Sequence, residues 1–98
     1  MIIEHLTFSV PPDLQPRFLA LDAEIWTATL ARQPGFLGKE VWSDGDHAET
    51  LHLIIRWTGR RAWKAVPADL LAMTDRRFAA AFGTPVPALS CVEHSVLG

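Results

Sequence analysis

Glu4 is the side chain in this sequence best suited to moving a proton. It stands in the run Ile2-Ile3-Glu4-His5-Leu6-Thr7-Phe8-Ser9-Val10. Alternation puts Ile2, Glu4, Leu6, Phe8 and Val10 on one face of a strand and Ile3, His5, Thr7 and Ser9 on the other. A carboxylate flanked by apolar residues is partly desolvated, and desolvation raises its pKa unless a cation stands near. Buried and unpaired, such a group is a general base for a phenol or enol, the opening step of a cofactorless reaction with oxygen. Paired with Arg76 or Arg56, the same carboxylate is structural and inert. Both readings stand at the level of sequence.

Four tryptophans are many for 98 residues. Trp57 ends an apolar run, Trp26 falls on a helical segment and Trp63 on a short helical turn. Together with Glu4, Leu6 and Arg76 they outline a pocket between sheet and helices. Aromatic walls with a few polar groups suit a flat apolar ligand. The same residues also serve as plain packing, because aromatic rings supply much of any small core.

The remaining candidates are weaker. His5 and His94 belong to strands expected to be antiparallel neighbours, and with Glu93 or Glu40 they have the residue types of a divalent-metal site. No His-x-x-x-His or Cys-His spacing backs a metal, so none is expected. The histidines read as partly solvated groups that titrate near neutral pH, and His47, beside Asp44 and Asp46, as a turn residue. Cys91 is the single cysteine; with no activating base beside it, it reads as a small buried hydrophobe. Arg60-Arg61 and Arg76-Arg77 read as solvated helix faces, and no Gly-rich phosphate loop is present.

A chain of this length holds one domain, residues 1–98, with no room for a second core. A formal charge of −2 and a pI near 6.0 argue against nucleic acid, which needs a basic stripe against its phosphates. Met1-Ile2-Ile3-Glu4-His5 lacks the basic start of a signal peptide, and no apolar window is long enough to span a bilayer. One unpaired cysteine suits a reducing compartment, so the cytoplasm is expected.

The elements that must position these residues follow from period and punctuation. After the first strand, Pro11-Pro12 stops the ladder, with Asp13 a fair helix cap and Pro16 in the first turn. From Leu14 to Arg32 the period is helical, with Leu14, Phe18, Leu21, Ile25 and Ala28 on one stripe. Leu19, Ala23, Trp26 and Leu30 form a second stripe, which must be a dimer contact or the wall of a pocket. Pro34-Gly35 turns the chain into a hairpin, Phe36 to Trp42 and Leu51 to Trp57, joined by a polar loop. Thr58 to Ala65 reads as a short helical turn, with Thr58 suited to be its cap. Pro67 and Gly83 bound a last helix, and Leu89 to Val96 is a last strand.

Strand, helix, strand, strand, helix, strand is the split βαβ order of a ferredoxin-like α+β fold. Right-handed crossovers place strands one and three at the centre of a four-stranded antiparallel sheet, with both helices on one face. The other face carries Ile3, His5, Thr7, His52, Ile54 and Arg56. A lone protomer leaves its apolar members wet, so two copies are expected to pair face to face as a homodimer.

The run Pro34-Gly35-Phe36-Leu37-Gly38-Lys39-Glu40-Val41-Trp42, the strand ending Arg56-Trp57, and Arg61-Ala62-Trp63-Lys64 resemble the antibiotic-biosynthesis-monooxygenase superfamily. Ile3-Glu4-His5-Leu6-Thr7-Phe8 and Asp22-Ala23-Glu24-Ile25-Trp26 extend the likeness across most of the chain. The resemblance implies homodimeric α+β barrels with a ferredoxin-like protomer. Its members include cofactor-independent quinone-forming monooxygenases, heme-degrading monooxygenases and proteins with no known catalysis. Heme-degrading relatives place an Asn on the first strand, a Trp after the third and an iron-binding His on the last helix. This chain has Glu4, Val66 and Arg76 at those positions, and no His between Trp63 and Gly83, so no heme cofactor is expected. Three readings follow: a cofactor-independent monooxygenase acting on an aromatic or polyketide-like molecule with Glu4 as base, a dimeric binder of an apolar metabolite, or a purely structural dimer.

Overall fold

A computed structural model describes all residues from Met1 to Gly98. The strands are β1 (Ile2–Ser9), β2 (Phe36–Ser43), β3 (Thr50–Trp57) and β4 (Ser90–Ser95). Their order in the sheet is β2-β3-β1-β4 with every neighbouring pair antiparallel, as the crossover rule requires. Helices α1 (Gln15–Leu21), α2 (Ala28–Leu30), α3 (Arg60–Lys64) and α4 (Ala68–Phe82) complete the fold. The expected α+β ferredoxin-like protomer is therefore what the chain forms.

Two local irregularities decide what faces inward. Between α1 and α2 the helix runs as a six-residue π segment, Asp22–Thr27. A π turn takes in one more residue than an α turn, so everything beyond it rotates relative to a strict helical period. Leu30, expected on the second stripe, is buried with Phe18 and Ile25, while Leu19 stays 38% exposed. The helix has one broad inner face, which Trp26 and Leu30 of the second stripe join as the wall of a pocket, while Ala23 of that stripe is exposed like Leu19.

The second irregularity is a bulge in β2. Phe36 lies opposite Trp57, Gly38 opposite Arg56 and Lys39 opposite Ile55, so Leu37 is the extra residue. Strict alternation from Phe36 would send Lys39 to the far face; one inserted residue flips it to the helix side. Just before β2, Gly35 has φ +85°, and a Cβ there would collide with Ala62 of α3. Only glycine fits this turn.

The expected caps need correction. Asp13 lies inside a 3₁₀ turn, Pro12–Leu14, and Gly59 rather than Thr58 precedes α3. Gly83 does end α4, with φ +103° and its N–H on the Ala79 carbonyl.

Phe18, Phe78 and Phe82 meet edge to face or stacked at the centre of one apolar cluster with Leu51 and Leu53. Ile2, Leu30, Ile55, Trp57 and Val66 form a second. On the uncovered sheet face Ile54 is only 2% exposed, a correction to the expected wet isoleucine. His5 and Glu40 flank it in register, and their longer side chains stand beside it. Trp42 and Val92, at 48% and 45% exposure, are the apolar groups left open there.

Candidate active site

Directly opposed residues in an antiparallel pair share a face, and residues two apart lie diagonally within reach. Glu4 is opposite Ile55 and Ile2 is opposite Trp57, so Glu4 and Trp57 are diagonal neighbours on the helix side. Trp57 Nε1 donates a hydrogen bond to Glu4 Oε1 at 3.1 Å. Burial pushes the Glu4 pKa up; the indoles of Trp57 and Trp63 and then the ammonium groups of Lys64 and Lys39 oppose that rise. No arginine pairs with it. Arg56 Nη1 contacts Glu40 Oε1 at 2.7 Å, and Arg76 is exposed.

Glu4 opens on a cavity of about 500 Å³ between sheet and helices. Leu6, Trp26, Trp57 and Trp63 line it, as the sequence led one to expect. Arg76 does not. The α4 face toward the cavity carries Leu71, Ala72, Asp75 and Phe78, and Arg76 is turned away from it by about 100° relative to Asp75. Fifteen of the twenty lining residues are hydrophobic, so the space favours an apolar guest. A filled interior, the mark of the purely structural reading, is not what this protomer has.

Three charged lining residues escaped the sequence reading: Asp75 of α4, and Lys39 with Asp22. Lys39 Nζ and Asp22 Oδ2 lie 2.6 Å apart, with side chains 2% and 5% exposed. Asp22 comes from the π segment and Lys39 from β2 just after its bulge. Burial raises the Asp22 pKa, while the charge and hydrogen bond of Lys39 pull it down. The available signal was an Asp four residues after Phe18 on an apolar stripe, with a Lys two before Val41.

The histidines gather on the other sheet face. His94 faces Ile3, not His5, yet His5 Nδ1 and His94 Nε2 are 3.3 Å apart, and His5 Nε2 and His52 Nδ1 are 2.8 Å apart. His52 Nε2 then meets Asp44 Oδ2 at 3.0 Å. These contacts form a line, and no group of three or more His, Cys, Asp or Glu converges on a point that could hold a metal ion. Cys91 is exposed, not buried, because β4 is an uncovered edge strand. Partial desolvation of its sulfur and the nearby Glu4 charge still push its thiol pKa up, so it is a poor nucleophile.

Residues 1–66 match the family model for antibiotic biosynthesis monooxygenase. This chain belongs to that family. Among curated proteins none matches it in sequence. Solved structures share the monooxygenase fold at low identity. A point mutant of the cofactor-independent oxygenase SnoaB of Streptomyces nogalater superposes with a TM-score of 0.69 at 20% identity, covering 97% of this chain and 91% of that one. The monooxygenase from the gene ActVA-Orf6 of Streptomyces coelicolor, in complex with nanaomycin D, gives 0.76 at 17%, covering 99% and 88%. Rv0793 of Mycobacterium tuberculosis gives 0.65 at 19%, covering 99% and 95%. The segment matched to the monooxygenase family carries Glu4, Asp22, Trp26, Lys39, Trp57 and Trp63, so most of the cavity's polar inventory falls within it. No helix is long and apolar enough to cross a membrane.

Proposed function

We propose that the cavity above β1 is the active site of a cofactor-independent monooxygenase, with Glu4 as its general base. The substrate is a flat aromatic or polyketide-like molecule with an acidic C–H or phenolic O–H. The observation that carries this reading is a carboxyl group of raised pKa on the wall of a largely apolar cavity. A raised pKa makes the ionised carboxylate a stronger base, and the apolar wall lowers the local dielectric that would otherwise level it. Glu4 removes a proton, the electron-rich carbanion or phenolate reacts with dioxygen, and reprotonation gives a hydroperoxide. Loss of water from that hydroperoxide turns a CH₂ into C=O, so one oxygen atom enters the product and the other leaves as water. A nanaomycin-bound relative and a cofactor-independent one support the substrate class and the absence of a cofactor.

The working unit is a homodimer that pairs through the uncovered sheet face, where Trp42 and Val92 stand open. The second reading, a binder that does not transform its ligand, draws on Glu4 Oε1 already accepting from Trp57. Oxygen uptake with a panel of anthrone- and naphthol-type compounds separates the two. Turnover that Glu4→Gln abolishes supports the enzyme; saturable tryptophan quenching with no product supports the binder.

A further inference from the structure

Lys39 is a buried ammonium with an unusual share of its hydrogen-bonding capacity unused. Its Nζ carries three donors, and Asp22 is its single hydrogen-bond partner in the protein. With 2% exposure of its side chain it has little recourse to bulk water, and it lines the ligand cavity. Unmet N–H groups of a charged donor in an apolar space are costly, and an anionic oxygen is the acceptor they bind most strongly.

Lys39 also stands in a fixed relation to Glu4. Lys39, Ile55 and Glu4 form one row across β2, β3 and β1, all directed to the helix side. Two strand spacings separate the outer members, so their Cα atoms are about 10 Å apart. Ile55, 2% exposed, lies between them as an apolar floor. The cavity thus has a carboxyl at one end of the row and an ammonium at the other. A ligand bearing one anionic oxygen is drawn to the ammonium and repelled from the carboxylate, which sets its direction.

We propose that Lys39, positioned by Asp22, is the anion-recognising pole of the cavity and selects flat apolar ligands that carry a phenolate, enolate or carboxylate oxygen at one end. The inference rests on the reading of this cavity as a ligand site and adds the polarity of the ligand. Asp22 acts through Lys39 and is a positioning residue. Once the anion sits at Lys39, the opposite end of the ring system faces Glu4, where the proton is removed.

A matched pair of dyes tests this: 1-anilinonaphthalene-8-sulfonate, and N-phenyl-1-naphthylamine, which has the same rings without the sulfonate. Binding is followed by dye fluorescence, and location by the indole N–H resonances of Trp26, Trp57 and Trp63. Wild-type protein should bind both in the cavity and favour the anion. Lys39→Met should weaken the sulfonate dye by about ten- to a hundredfold and the uncharged dye by less than about twofold. Lys39→Arg should retain the preference. Because Lys39→Met strands Asp22, the double variant Asp22→Leu/Lys39→Met serves as a folded control and should show the same loss of preference. Equal binding of the two dyes by the wild type, or a preference that survives both variants, overturns the proposal and leaves the cavity reading intact. If neither dye moves the indole resonances, the cavity reading falls and this one with it.

Discussion

The indole N–H of Trp57 is bonded to the carboxylate of Glu4 at 3.1 Å, and the two residues are 53 positions apart in the chain. Trp57 is fully buried, so its ring holds the donor in place through packing. The bond favours the ionised form of Glu4 and so works against the burial that raises its pKa. Among the groups that hold the Glu4 pKa down against burial, this indole comes first, ahead of Trp63, Lys64 and Lys39.

Trp57→Phe keeps most of the ring and removes the donor. Glu4 should then titrate at a still higher pH. The base must be ionised to act, so the acidic limb of the pH–rate profile should move upward while the alkaline limb stays. Loss of the bond and of part of the ring should cost about 1–3 kcal/mol of stability by urea denaturation. An acidic limb that stays in place would separate Glu4 from the rate.

Glu4→Gln retains an acceptor for Trp57 and removes the charge. Turnover of any substrate found should fall by about 10²- to 10⁴-fold, the usual contribution of a general base. Stability should change in the opposite direction. A carboxyl whose folded pKa is raised binds more protons in the folded than in the unfolded state, so its ionisation destabilises the fold as pH rises through that window. The variant should therefore melt higher than wild type above the window and equally at pH below the ordinary carboxylate range. A uniform loss at every pH would show that the glutamine is a poor packing substitute and that the charge is immaterial.

Lys39→Met leaves the Asp22 carboxylate buried without its partner and should cost about 3–5 kcal/mol at neutral pH. Acid should ease that loss, since protonated Asp22 needs no counter-ion and burial already favours the protonated form. Asp22→Leu/Lys39→Met removes both charges and should lie within about 1 kcal/mol of wild type. Denaturation at pH 7.5 and pH 4.5 measures all three differences. Equal losses in the single and double variants would show that the pair holds the fold together by attraction.

Pairing of two copies through the open sheet face should weaken in acid. His5 stands between His52 and His94; burial first, and then the charges of those two neighbours, lower its pKa. Asp44, held well below the usual carboxylate range chiefly by His52, also contacts His47 and pairs with neither His5 nor His94, and Glu40 is taken by Arg56. His5 already titrates below the free-imidazole range in the protomer, and burial between two copies lowers it further, so the benefit of pairing is present at higher pH and fades as pH falls through that lowered value. Sedimentation velocity should show a species near twice 10.9 kDa at pH 7.5 and a shift toward the protomer at pH 5.5. Replacing His5 with Gln should flatten that dependence. A protomer at pH 7.5 would refute the pairing itself.

Much of the fold was legible in one dimension. The alternation of Ile2 to Val10 and of Leu51 to Trp57, the Pro-Gly turns and the Gly83 cap depend on neighbours a few residues apart, and such local rules need no coordinates. The same rules placed Glu4, Leu6 and Trp57 on one face, so the apolar half of the cavity could be anticipated.

The rest could not, because it depends on two breaks in those rules. Period-2 counting from Phe36 puts Lys39 on the wrong side until the bulge at Leu37 is known, and helical counting sets Leu30 on a stripe apart from Phe18 until the π segment is known. Each break is one extra residue in a ladder, and its place is chosen by how sheet and helix pack against each other. Composition and spacing therefore specify the scaffold and its carboxyl group. Long-range packing brings the ammonium across from Glu4, seats the indole against it and lines up three histidines from three strands.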